Sequence, residues 1–105
     1  LGGKRKSIEL GTNNGWRNKS FRSYADYMQG NEFLVGLRTA LEFSAKERCA
    51  LMCAEAVPWR CHRSLISDAL TIRGMSVYEI VNTYEPKLHK ITKFALVEGT
   101  GITYP

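Results

Sequence analysis

The sequence predicts an α/β fold, a three-layer sandwich with a mainly parallel sheet. Three observations carry this. Cys49-Ala50-Leu51-Met52-Cys53-Ala54 is apolar throughout and six residues long, which suits a strand buried on both faces. Segments of helical periodicity flank it on both sides. A second strand candidate, Ser76-Val77-Tyr78-Glu79-Ile80-Val81, follows the later helix. Together they make one strand–helix–strand unit, whose crossover is expected to be right-handed.

In chain order, residues 1–19 are rich in Gly and Asn and follow neither a period of 2 nor one of 3.6. They read as a basic loop or arm. Ser20 can cap a short helix with Phe21, Tyr24, Ala25 and Met28 at helical spacing, ended by Gly30. Asn31 can cap the next, with Glu32 in its first turn and Phe33, Leu37, Ala40, Leu41 and Ser44 on one face. That helix is expected over about 32–47, with Glu42 and Lys46 as an i,i+4 pair. The apolar strand follows, then a connection from Glu55 to Arg60 that contains Pro58. Cys61 to Arg73 reads as a helix with Cys61, Leu65, Ile66, Ala69, Leu70 and Ile72 on a broad face and Gly74 as its stop. Pro86 breaks the chain after the second strand. Residues 88–98 suit a helix, and Ile102-Thr103-Tyr104 a short final strand.

A chain of 105 residues holds one domain. Its formal net charge of +5 is unevenly placed. Lys4, Arg5, Lys6, Arg17, Lys19 and Arg22 face only Glu9 within residues 1–24, whereas residues 25–105 hold equal numbers of acids and bases. A uniformly basic coat is excluded, and a basic arm able to meet phosphates is not. No apolar run approaches the ~20 residues of a membrane span, so no membrane association is expected. There is no charged-then-apolar leader. Cys49, Cys53 and Cys61 are an odd number, close together, and suit a reducing cytoplasm better than an oxidised scaffold.

The densest chemistry lies in Met52–Arg63, at the junction of the apolar strand and the following helix. Ligands of open α/β sheets bind at the carboxyl ends of strands, and helix N-termini hold anions. Arg60 and Arg63 supply bidentate donors for phosphate or carboxylate. Cys61 at a helix start would gain thiolate character, with Cys53 as a second thiol. His62 and Glu55 are acid–base candidates. Each has a plainer role. Cys53 and Cys61 suit apolar packing, His62 suits a helix-start surface, Glu55 can pair with Arg60 or Arg63, and Trp59 can cover the core edge.

Three specific chemistries fail on spacing. A tyrosine-phosphatase loop needs Arg six positions after its Cys; from Cys53 that position is Trp59, and Arg60 is one residue late. A structural zinc site needs paired ligands, and Cys53, Cys61 and His62 have no second pair, so no metal is expected. A thioredoxin-like centre needs Cys-x-x-Cys; Cys49 and Cys53 along a strand are too far apart to bridge, while Cys53 and Cys61 stay open as a pair that could approach across the loop. No cofactor is indicated. Trp16, Phe21, Tyr24 and Tyr27 lie among Arg17, Lys19 and Arg22, a pattern that binds single-stranded nucleic acid, and residues 4–22 are the candidate segment. The same aromatics also follow the helix period and suit a core face.

At these residues the sequence resembles the bacterial and archaeal family known as domain of unknown function 488. Its hallmark is a stretch like Met52-Cys53-Ala54-Glu55, a short variable loop, then Cys61-His62-Arg63 and a helix like Ser64–Leu70. Leu1-Gly2-Gly3, Phe21–Met28 and Thr103-Tyr104-Pro105 resemble further family segments, so the similarity runs along essentially the whole sequence. His89 matches a later family histidine, whereas Glu79 stands where relatives often have His. Family members usually begin with two strands bearing Thr-Ile-Gly-His-Ser and Asp-Val-Arg motifs, and neither motif occurs in this sequence. The resemblance implies an α/β sandwich in which residues 20–105 form the C-terminal part of a single domain, and it implies no activity.

The expectation is therefore a protein that binds a small phosphorylated or nucleotide-like anion at Cys53–Arg63. Arg60 and Arg63 hold the anion, His62 or Glu55 acts as acid or base, and Cys61 or Cys53 is the nucleophile or redox thiol. Binding alone and catalysis both stay open. The alternative is a nucleic-acid-binding or regulatory module without catalysis, using the basic N-terminal segment.

Overall fold

The computed structural model describes residue 1 and residues 10–52, 62–80 and 85–105. Helix α1 spans Lys19–Tyr27. Its cap is Asn18, two residues before the expected Ser20: the Asn18 Oδ1 accepts from the Ser20 and Phe21 backbone N–H groups at 2.8 and 3.4 Å. Asn in an extended conformation reaches those N–H groups from outside the helix, which Ser20 within the first turn cannot do. Tyr24, Ala25 and Met28 lie on its buried side.

Helix α2, Asn31–Lys46, starts from Gly30 and has no side-chain cap. Asn31, expected as the cap, is already helical. Glu32 in the first turn and Lys46 in the last complement the helix dipole at its two ends. Of the expected face, Phe33 and Leu37 are buried, while Ala40, Leu41 and Ser44 are only half-buried. Helix α3, Arg63–Thr71, buries Leu65, Ile66, Asp68 and Ala69. It ends at Thr71 with Ile72 as its cap, short of the expected Arg73, and the chain turns at Gly74. The positive φ of 87° there lets the Met75 N–H reach back to the Leu70 carbonyl at 3.2 Å, satisfying a carbonyl of the last turn.

The three-layer sandwich with a mainly parallel sheet is not what the chain forms. It has three helices and two small antiparallel sheets among the described residues. Strand β1, Tyr78–Glu79, pairs with β2, Lys87–Leu88, in the register Tyr78↔Leu88 and Glu79↔Lys87. Strand β3, Leu96–Glu98, pairs with β4, Gly101–Thr103, across a turn at Gly99, where φ is 61°. Residues 49–52 of the expected first strand carry no strand at all, and Met52 is 88% exposed. Continuous apolarity makes a parallel strand only where neighbours hydrogen-bond to both edges and helices cover both faces. No described segment offers residues 49–52 an edge.

The helix expected over 88–98 is also replaced. Its first residue, Leu88, joins β2, and Leu96–Glu98 is β3. Between them the backbone N–H and hydroxyl of Thr92 are both taken by the Asp68 carboxylate, at 3.1 and 2.7 Å. A tertiary acceptor here outcompetes the local i→i−4 ladder. The expected strand at Ile102–Tyr104 does form, as Gly101–Thr103.

The core joins α1, α2 and α3 to Ile102 and Tyr104. Trp16 packs edge-on against Phe21 and Phe94, with ring centroids 5.2 and 4.9 Å away, and tilted against Tyr104. The Gly15 N–H donates to the Tyr104 carbonyl at 2.7 Å. A Cβ at Gly15 would lie 2.6 Å from the Pro105 carbonyl oxygen and 2.9 Å from that of Tyr104, two backbone atoms that cannot step aside alone. Gly15→Ala is therefore expected to destabilise by about 1–3 kcal/mol, the usual cost of overpacking. Urea denaturation followed by circular dichroism measures it, and an unchanged midpoint would show that Tyr104 and Pro105 do not press on residue 15.

Candidate functional site

Of the six residues that the sequence singles out, Cys53, Glu55, Arg60 and Cys61 lie outside the described residues. His62 and Arg63 are placed at the start of α3. His62 is the cap residue, with φ −67° and ψ −3°. Its carbonyl accepts from the Leu65 and Ile66 N–H groups, both at 3.1 Å, and so begins the helix. Its side chain makes no capping hydrogen bond. The ring instead lies on Tyr24 of α1, with centroids 4.7 Å apart and planes 22° from parallel. Tyr24 is fully buried among its core neighbours, and its hydroxyl donates to the Leu1 carbonyl at 2.8 Å. Arg63 opens the first turn, which contains no acidic residue. The positive end of α3, a guanidinium and an imidazole held flat on a phenol thus share one end of one helix, an arrangement suited to a negative group.

The basic segment divides. Lys4, Arg5 and Lys6 lie outside the described residues, and Arg17 and Lys19 are exposed. Arg22 turns inward, its Nε donating to the Trp16 carbonyl at 3.1 Å. Trp16, Phe21, Tyr24 and Tyr27 pack in or against the core.

A second polar cluster is built further along α3. Asp68 is 0% exposed. One of its oxygens accepts from His89 Nε2 at 2.6 Å and from the Thr92 N–H at 3.1 Å; the other accepts from the Thr92 and Tyr104 hydroxyls at 2.7 and 2.8 Å. The other ring nitrogen of His89, Nδ1, lies 2.7 Å from a Glu79 carboxylate oxygen. With a carboxylate at each nitrogen, the geometry favours the doubly protonated ring, in which both nitrogens donate. Its pKa is raised above the ordinary 6.5, first by the hydrogen bond to Asp68, against the opposing effect of burial, and then by Glu79. Burial, reinforced by the Asp68 charge, pushes the Tyr104 phenol far up, so it stays a donor. Beside this, the Asn13 amide donates to Asp26 at 2.7 Å, and its carbonyl accepts from the Tyr104 N–H at 2.9 Å.

In this arrangement the cluster braces α3 against the segments that carry Glu79, His89, Thr92 and Tyr104. His89 is nearly buried and both its nitrogens are engaged, so it has no lone pair for a substrate proton. The sequence reading does not single out Asp68, although a signal was present. Asp68 lies three residues after Leu65 and four before Ile72, inside an apolar helix face. An acid there must find buried donors.

The family described as Domain of unknown function DUF488 matches residues 1–70, a stretch that includes α1, α2 and most of α3. No curated protein and no solved structure matches the chain. Among the described residues, no helix is long and apolar enough to cross a membrane.

Proposed function

From the premise that the chain belongs to the DUF488 family, we propose that it binds a small phosphorylated or nucleotide-like anion at residues 53–63, at the start of α3. The supporting observation is the helix start itself, where Arg63 and the Tyr24-stacked His62 stand with no acid in the first turn. Charge-assisted bonds from Arg63 and Arg60 hold the anion, and the helix dipole adds to them. Where chemistry follows binding, Cys61 or Cys53 is the thiol, and His62 or Glu55 moves the proton.

The rival is a nucleic-acid-binding module using residues 4–22. Trp16, Phe21, Tyr24 and Tyr27 are occupied with packing, which leaves that segment charge without free stacking faces. The helix-start reading is therefore preferred.

Calorimetric titration with inorganic phosphate and with a nucleoside diphosphate tests it. Arg63→Ala is expected to weaken binding by at least about tenfold, since a charge-assisted hydrogen bond is worth roughly 1.5–3 kcal/mol. Equal binding by Arg63→Ala, or no binding of either anion, would overturn the reading. In parallel, Cys61 is expected to react with a charged alkylating agent below neutral pH if the site is catalytic. Sluggish alkylation would leave binding without thiol chemistry.

A further inference from the structure

The Asp68–His89–Glu79 row is built asymmetrically. Asp68 is completely buried and takes four hydrogen bonds. The Glu79 side chain is 26% exposed. Glu79 belongs to a strand of two residues, and among the described residues its neighbours Tyr78 and Ile80 are exposed. The strand is tied to its partner by the short β1–β2 ladder, by the His89 N–H donating to the Val77 carbonyl at 2.7 Å, and by the Glu79–His89 contact.

We propose that this contact is a proton-operated catch: β1 stays paired to β2 while the His89 imidazole carries both its protons, and it lets go when Nδ1 loses its proton. A neutral imidazole has one N–H. Two carboxylates then compete for one donor. The buried Asp68 cannot be hydrated, so it keeps Nε2–H; Glu79 can reach water, so it is the one released. What remains at Nδ1 is a lone pair facing a carboxylate, which is repulsive. Among the described residues, the charged or titratable groups around the ring are Asp68 from α3, Glu79 from β1 and, through Asp68, the neutral Tyr104. Lys87, opposite Glu79 in the ladder, and Lys90 are exposed.

The sign follows from the raised pKa of His89. Asp68 keeps its bond whether or not β1 is paired, so only the Glu79 share of the upward shift bears on the strand: pairing is fully supported while the ring is protonated in both states, and that support is lost as pH rises through the raised pKa of the complete row. Opening of β1 should therefore grow by about tenfold per pH unit across that window and then level off.

The test is amide hydrogen exchange by NMR on the whole chain, with rates divided by the intrinsic rate at each pH. Protection of the His89 amide is expected to fall across the window while the Leu37 amide of α2 stays level. The nitrogen bared in alkaline solution is expected to be Nδ1, read from its 15N shift. Glu79→Gln offers a neutral ring an amide N–H, so the strand should stay paired at all these pH values, with the His89 titration moved to lower pH. A level profile in the native chain, an unchanged profile in Glu79→Gln, or a bare Nε2 would each overturn the proposal. None of these readouts requires removal of His89 or Asp68, whose loss threatens the fold itself.

Discussion

Replacing Asp68 with Ala is expected to cost about 3–5 kcal/mol of folding stability, the range for removing one partner from a buried ion pair. The change strips acceptors from the His89 imidazolium, the Thr92 N–H and hydroxyl and the Tyr104 hydroxyl at once. Each buried donor left alone carries its own desolvation penalty. Because small domains are stable by only about 5–15 kcal/mol, a loss of this size leaves little margin. Tyr104→Phe deletes one donor and leaves Asp68 with three bonds, so its cost should be much smaller, about 1 kcal/mol. Urea denaturation of the two variants beside the native chain checks this ordering. A Tyr104→Phe variant weaker than Asp68→Ala would contradict the placement of Asp68 at the hub.

Asn13→Ala is expected to cost about 2–4 kcal/mol, on the basis of roughly 1–3 kcal/mol for each buried group left unsatisfied. Asn13 is fully buried and works in both directions, donating to the nearly buried Asp26 and accepting from the Tyr104 backbone. Its removal orphans a carboxylate on α1 and an N–H beside β4. Asn13→Asp should be worse, since it sets a second carboxylate against Asp26. Thermal unfolding of both variants at neutral pH measures the effect. Equal stability of Asn13→Asp and the native chain would mean that the two side chains do not meet.

The helices were legible in the sequence because their signals are local. The spacing of Phe21, Tyr24, Ala25 and Met28 locates α1, that of Phe33 and Leu37 locates α2, and Gly74 marks the end of α3. The caps were less so. Asn18 and Ser20 are both good cap residues, and only the entry path of the chain decides between them. Strand positions were partly legible, at 78–79 and 101–103, but the parallel pairing was not. A six-residue apolar run suits a buried strand equally whether or not a neighbour exists, and Leu51 and Met52 lie exposed. Residues 88–98 were read by period, whereas Asp68, twenty-four positions from Thr92, decides their path. As for the site, His62 and Arg63 do stand together at a helix start, as the motif suggests. The Tyr24 platform beneath His62 comes from a different helix, which no local pattern announces.

Tyr104 sets the order in which this molecule can assemble. It is bonded to Asn13 across 91 positions and to Asp68 across 36, it packs on Trp16, and Gln29 reaches Ile102 across 73. The helices rest on local contacts, but their apolar faces are completed only when Ile102 and Tyr104 join them. Closing such long loops adds little equilibrium cost, since each doubling of length adds only about 0.6 kcal/mol. It does slow the search, because non-local contacts must be found before they reward the chain. Joining segments up to 91 positions apart, and not forming the helices, is therefore expected to limit how fast this domain folds.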